Sequence, residues 1–288
     1  MLILAAAAIL ASNSLLQAPV QTATVRVPVA NVWEAPNAGH LPLDPHVWPT
    51  SQVTYAQRIA LVGHMPTQVL FDDTVVVLSR GNGWTQIAVP DQPSPLNPWG
   101  YPGWVRSWQL GAPLQVPERQ VTVTVRSARL LDGEEVSFGT KLPYTARRGE
   151  LFAVWTPNGG TFVRAADVHQ LPNTRADIVR SAKQFLGLHY LWGGLSAWGY
   201  DCSGLTWAVY RAHEITIPRD ADAQFAAGTP VALSKVQPGD LLFYESPVVG
   251  HVSMAIGNGQ MIEAPNSHSE VRIVPIRTSD FRGARRFF

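Results

Sequence analysis

The chain has 288 residues, 46% of them hydrophobic, with 22 Lys and Arg against 21 Asp and Glu. That near-neutral balance leaves no strong field to draw it onto nucleic acid or an anionic bilayer, and a mean hydropathy of +0.01 excludes a bundle of membrane-spanning helices. One cysteine excludes a disulfide framework and a thiolate-based structural zinc site, so the thiol is either a packed small residue or a nucleophile.

Residues 2–11, LILAAAAILA, form the one long apolar run, well short of the roughly 20 residues a spanning helix needs. They are similar to the apolar part of a signal peptide, although no Lys or Arg precedes them. Leu16-Gln17-Ala18 also places a large residue three back from a cleavage point. Export of the chain to the periplasm or cell envelope, with 1–18 as the signal-like segment, is the expectation. A frayed terminus or a misplaced start codon is the alternative.

From residue 25 to 112, short alternating strands are broken by Gly, Pro and Asn. Asn82-Gly83, between Val75–Leu78 and Trp84–Val89, is a strong hairpin signal. Ala30-Asn31-Val32-Trp33, the hairpin ending in Gly83-Trp84, and Gly103-Trp104-Val105 together resemble a bacterial SH3-like barrel, with 91–100 as a loop inserted before its last strand. Residues 118–171 read as a second, degenerate barrel, with Asn158-Gly159-Gly160 as a turn. Pro113, Pro117 and Pro172 mark the joins.

At Thr174 the texture changes. Thr174 and Asp177 read as a capping box, and Ile178, Val179, Ala182, Phe185 and Leu186 share one helical face that Gly187 ends. A second helix is expected over 203–213. Strands follow at 240–244, 251–256, 260–264 and 271–276, which makes residues 174–288 an α+β unit.

Cys202 sits in Gly199-Tyr200-Asp201-Cys202-Ser203-Gly204, at the start of that second helix. Free N–H groups and the positive helix end there stabilise a thiolate, the nucleophilic form of cysteine. The flanking Asp201 and Ser203 fit a packing cysteine poorly. Of eight histidines, His251 ranks first as the base, because it opens a strand just after Gly250, where a side chain emerges at a sheet end; His189 ranks second. The base needs an acceptor on its other ring nitrogen, and Glu263 is the candidate. A three-residue loop at 257–259 puts Glu263 opposite Ser253, on the face of His251, across a diagonal of about 7 Å. A two-residue loop puts it on the other face, so the three-residue loop is expected, with a glycine at positive φ.

Five ordered motifs now stand together: Tyr190-x-Trp192-Gly193-Gly194, Asp201-Cys202-Ser203-Gly204, Pro238-Gly239-Asp240, Gly250-His251-Val252-Ser253 and Gly257-Asn258-Gly259-x-Met261-Ile262-Glu263. Together they resemble the NlpC-type cell-wall cysteine peptidases. The resemblance covers roughly 174–288 and implies a papain-like catalytic domain preceded by two small all-β SH3-like barrels, with Cys202 as nucleophile, His251 as base and Glu263 at a third polar position where His is commonest. With the front barrels, the chain is similar to the γ-D-glutamyl-L-diamino-acid endopeptidases, which cut the D-Glu–diamino acid bond of murein stem peptides bearing a free N-terminal L-Ala. That group's amine-reading positions fall on Asp201, Ser203 and Tyr190, with Asp73 and Tyr101 as weaker matches from the first barrel. Trp192 and Asp220, in Arg219-Asp220, are expected near the cleft. The Cys202 N–H is one oxyanion donor; the second has no candidate. The partner implied is a murein peptide, L-Ala-γ-D-Glu-diamino acid, whose diamino acid (diaminopimelate or lysine) stays open. No cofactor, metal, nucleic acid or stable membrane insertion is expected, and the chain is expected to be a monomer. Rival readings are a hydrolase of intact wall peptidoglycan, a non-catalytic wall-binding protein, and a transferase or acyl-lipid enzyme on the same core.

Overall fold

The computed structural model describes residues 20–36, 53–114, 119–245 and 247–288. The apolar run at 2–11, His40 and His46 lie outside them.

The first unit is a five-stranded antiparallel sheet in the order Tyr101–Arg106, Trp84–Val89, Thr74–Gly81, Thr22–Val25, Leu110–Gly111, with Val29–Val32 and Thr67–Leu70 paired beside it. Inward residues such as Val25, Val69, Ile87 and Val105 fill its core. Asn82 and Gly83 turn the central hairpin at φ 53° and 77°, both left-handed, as a two-residue turn between twisted strands requires.

The second unit repeats this topology. Its order is Gly159–Arg164, Leu151–Thr156, Lys141–Arg148, Gln120–Val123, Val168–His169, with Ser127–Arg129 and Glu135–Ser137 as the small pair. Both units make a short 3₁₀ turn before the last strand, at Ser107–Gln109 and Ala165–Asp167. They differ between the strands of the small pair. There the first unit inserts residues 33–66, which carry helix α1 (Tyr55–Ala60), opened by a reciprocal Thr54–Gln57 capping box. The second unit needs only residues 130–134. The insertion brings Leu61 and Met65 into a cluster with Leu191 and Trp198 of the C-terminal unit.

The C-terminal unit holds α2 (Arg175–Lys183), α3 (Cys202–Ala212) and α4 (Ala221–Ala227) against a six-stranded antiparallel sheet in the order Thr229–Val231, Phe281–Arg286, Leu241–Tyr244, His251–Gly257, Gln260–Glu263, Arg272–Pro275. Every residue of α3 is buried, so it is the axis of the unit. The capping box expected at α2 is one-sided. Thr174 accepts from the Asp177 N–H, but the Asp177 carboxylate turns to the Thr174 hydroxyl instead of the Thr174 N–H. Strand Phe281–Arg286 and helix α4 are additions to the elements expected from sequence. Three arginines and Gly283 mask the strand's alternation. In the structure, Arg285 covers the Phe225 ring at 3.6 Å and Arg286 donates to buried Asp240 at 2.7 Å.

The barrels dock on this axis. Val29 and Leu70 of the first and Phe138 of the second join the core around α3, and Phe138 meets Phe185 edge-on with ring centres 5.2 Å apart. In the last turn of α3, Arg211 donates to the Gly139 carbonyl of the second barrel at 3.0 Å and to Asp73 and Asp91 of the first. One buried guanidinium thus ties three units together.

Candidate active site

Cys202 is the first residue of α3, capped by Asp201, whose Oδ1 accepts from the Gly204 N–H at 2.6 Å. In this first turn the backbone donors have no intrahelical partner, and the helix's positive end faces the thiol. The glycines of the motifs hold it there. A Cβ on Gly204 would lie 2.0 Å from the Gly194 carbonyl oxygen, and one on Gly193, at φ 69°, would lie 1.9 Å from that of Met65. Glycine therefore lets the nucleophile's helix, the 193–194 turn and the first-barrel insertion close on one another.

His251 opens its strand beside Tyr244 and is buried. Its Nε2 lies 3.0 Å from Glu263 Oε2, which leaves Nδ1 free to serve Cys202, a neighbour that raises the ring's pKa. Met254 pairs with Ile262, so Glu263 falls opposite Ser253 and on the face of His251. The turn that achieves this differs from the expected three-residue loop. Gly257 pairs with Gln260 across a two-residue Asn258-Gly259 turn at φ 53° and 67°, and a bulge between Ala255 and Gly257 absorbs the extra residue. Asn-Gly selects the tight turn, and Gly257 at φ 93° takes up the slack.

Glu263 is 1% exposed and carries two further partners that the sequence reading missed. Arg272 donates to Oε1 through Nε at 3.0 Å and Nη2 at 2.9 Å, and Arg277 donates to Oε2 at 3.0 Å. Burial alone would raise this carboxyl; the bonds from His251, Arg277 and Arg272 bring it down to about 2. Burial likewise opposes charge on His251, but the bonds to Cys202 and Glu263 outweigh it and push the ring up to about 9. The stability that Glu263 contributes is therefore complete above its ordinary value of 4.5 and lost as pH falls toward 2. That of His251 is complete below 6.5 and lost as pH rises through 9. The basic limb of the kcat/KM profile is expected near pH 9. Glu263→Gln is expected to move that limb to lower pH and to cut kcat about 10-fold, the loss when a charge-assisted hydrogen bond becomes neutral. An unmoved limb in a pH titration of the variant contradicts this coupling.

A cavity of about 370 Å³ opens on Cys202. Tyr190, Trp192, Asp201, Ser203 and Asp220 line it, together with Tyr101, Gly63 and Pro66 of the first barrel. Asp201 is already answered: buried Arg219 grips it with Nη1 at 3.1 Å and Nη2 at 2.7 Å, and donates to Ser203 Oγ at 2.8 Å and Thr67 Oγ1 at 2.9 Å. Asp220 instead lies beside the Tyr101 hydroxyl, and no cation lies within ion-pair distance of it among the described residues. Burial, then Asp201 as a like charge, outweigh Arg219 and the Tyr101 bond to raise its carboxyl, while Tyr101 is itself pushed up, chiefly by burial. Asp201→Ala strands a guanidinium that is 1% exposed, and is expected to cost about 3–5 kcal/mol in chemical denaturation.

Asp73 does not reach this site. It is buried in the ion pair with Arg211, nine residues along α3 from Cys202, about 13 Å at 1.5 Å per residue. A carboxylate in Phe71-Asp72-Asp73-Thr74 looks like a loop-borne ligand, yet the loop turns toward the opposite end of α3. His189 pairs with Glu270 at 3.4 Å and does not line the cavity. Among the described residues, no group of three His, Cys, Asp or Glu side chains is arranged to hold a metal ion.

Residues 187–284 match the NlpC/P60 family model, and residues 123–170 match the YKFC SH3b2 domain. The gamma-D-glutamyl-L-lysine dipeptidyl-peptidase of Bacillus subtilis (strain 168) is 36% identical, over 88% of this chain and 93% of its own length. The chain belongs to the NlpC/P60 family. A second gamma-D-glutamyl-L-lysine dipeptidyl-peptidase, from Bacillus cereus (strain ATCC 10987 / NRS 248), is 33% identical over 92% of this chain and 90% of its own length. The crystal structure of an NlpC/P60 family protein from Bacillus cereus ATCC 10987 superposes with a TM-score of 0.86 at 32% identity, covering 92% of this chain and 99% of that one. This NlpC/P60 chain is a cysteine peptidase related to peptidoglycan peptidases, with an α+β catalytic fold and small β domains before it.

Proposed function

We propose that this peptidase hydrolyses the bond between γ-D-Glu and the diamino acid of murein stem peptides that begin with a free L-Ala. The observation that carries the reading is that first-barrel residues share the cavity wall with Cys202 and Asp220. There Tyr101, Gly63 and Pro66 of the first barrel line the cleft, and Asp220, beside Tyr101, makes no ion pair among the described residues. Asp201 and Arg219 cancel, so Asp220 and the neighbouring Asp222 leave that end net negative, which suits an ammonium. The related dipeptidyl-peptidases, by their names, release a dipeptide, and removing one from an amino terminus requires a site that ends at the amine.

In the reaction, the Cys202 thiolate attacks the γ-carbonyl carbon of D-Glu. The tetrahedral oxyanion forms at the Cys202 N–H. Tyr190 is the second donor: it is buried beside Cys202, and burial followed by the negative charge of Cys202 and Asp201 raises its pKa, so the phenol keeps its proton. His251, cationic beside the thiolate, gives its proton to the departing amine of the diamino acid, and a dipeptidyl thioester remains. His251 then takes a proton from water, which hydrolyses the thioester and frees Cys202. Glu263 keeps the ring aimed throughout.

Incubation with L-Ala-γ-D-Glu-L-Lys tests the reading. Release of L-Ala-D-Glu and lysine, followed by mass spectrometry, is expected; release from intact sacculi with none from the tripeptide overturns it. A hydrolase of intact wall needs the groove open where Tyr101, Gly63 and Pro66 stand.

A further inference from the structure

The third position of the site is an acid, and a lone buried acid serves a base poorly. Without compensation it takes up a proton as burial raises its pKa, or turns about its last torsion and loses the ring. We propose that Arg272 and Arg277 are positioning residues of the peptidase reaction, which pin the Glu263 carboxylate in the orientation that aims His251 at Cys202.

The geometry divides the work. Arg272 places two donors on Oε1, while Arg277 shares Oε2 with His251 Nε2. With both oxygens engaged from different sides, the carboxylate plane is fixed, and with it the ring that donates to it. The arginines are themselves placed by the sheet. Arg272 lies directly opposite Glu263 in the neighbouring strand. Arg277 stacks over the Tyr244 ring at 4.0 Å, and Tyr244 pairs with His251 on the other side, with ring centres 6.0 Å apart.

Among the described residues, charged and titratable groups surround the ring from several elements, and Glu245 lies against Gly250 beside it. Cys202 faces it from α3, with Tyr190 beside the thiol; Tyr244 faces it from the preceding strand; Glu263 and the two arginines face it from the following strands. Ser253, on its own strand, donates to Met261 Sδ at 3.0 Å. Neither arginine lines the cavity. Their side chains are 52% and 37% exposed, so they lie at the edge of the site and not in the core.

The proposal rests on His251 and Glu263 serving as base and orienter. That assignment fails separately, if His251→Ala retains activity. The test measures kcat and KM against pH for Arg272→Gln, Arg277→Gln and the double variant, each also made in the Glu263→Gln background, with melting temperatures alongside. In the double variant, kcat is expected to fall about 10-fold or more and KM to stay within about 2-fold, with the acid limb moving to higher pH. In the Glu263→Gln background the same changes are expected to cost less than about 2-fold, because their target is gone. Arg272→Lys with Arg277→Lys, which keeps charge but loses the fork, is expected to hold the acid limb and recover part of kcat. An unchanged kcat and acid limb in the folded double variant overturns the proposal, as does an equal loss with Gln at 263. If the double variant does not fold, the single variants carry the same expectation at about 3-fold each.

Discussion

Cys202→Ala is expected to lower kcat/KM by at least about 10⁵-fold, the scale on which a hydrolase loses its covalent nucleophile. The sulfur lies at the helix end that favours its anion and is among the neighbours that raise the pKa of His251. No other cysteine exists to substitute for it. Alanine suits a helix's first turn, so the variant is expected to melt close to the parent, and loss of activity then reads as chemistry. The same variant is expected to lower the pKa of His251, because the hydrogen bond and the thiolate are among the groups that raise it. Titration of the His251 ring by NMR checks this. Activity within about 10-fold of the parent contradicts a thiol mechanism.

Asp220→Asn has the second-largest expected effect. It keeps the size of the side chain and its place beside Tyr101 while removing the charge offered to an ammonium. A hydrogen bond to a charged group is worth about 1.5–3 kcal/mol, so kcat/KM on a free tripeptide is expected to fall about 10- to 150-fold. The loss is expected mainly in KM, because the amine end lies away from the reacting carbon. Tyr101→Phe removes one neutral donor to the same carboxylate and is expected to cost less, about 5-fold. Steady-state kinetics of both variants with a tripeptide and with its N-acetylated form separates the contributions. Neither variant is expected to change turnover of the acetylated form, which has no ammonium to lose. A loss of equal size on both substrates contradicts the role of Asp220.

The site was legible where chemistry and local pattern coincide. Cys202 at a helix start, His251 at a strand start and Glu263 one hairpin later follow from short-range spacing, and the structure brings the three together. The hairpin shows the limit of such counting. The register of Glu263 came from assuming a three-residue loop, whereas a tight Asn-Gly turn and a bulge give the same register by another path. Two turn geometries with one outcome cannot be separated by counting residues.

What escaped the sequence is long-range. Arg272 reaches Glu263 only because Gln260–Glu263 and Arg272–Pro275 pair across a loop too long to fix a register by its turn type. Arg219-Asp220 is expected near the cleft, but its sequence does not show that Arg219 turns inward to Asp201, 18 residues earlier, while Asp220 lies beside Tyr101 of another unit. Asp73 failed for a related reason. Its loop was placed by analogy to the cleft, but the first barrel presents two faces to α3. Tyr101 lies on the face toward Cys202, and Asp73 on the face toward Arg211. The second barrel looked degenerate because its strands are less apolar, while its strand order matches that of the first.

The central proposal is that this NlpC/P60 peptidase reads a free amine where its first barrel lines the cleft. It is tested most directly by the ratio of kcat/KM for L-Ala-γ-D-Glu-L-Lys to that for its N-acetylated twin, measured on the unaltered enzyme. A ratio of about 100 or more is expected, from the lost ammonium contact and the added bulk against the barrel wall. Equal cleavage of the two peptides contradicts it.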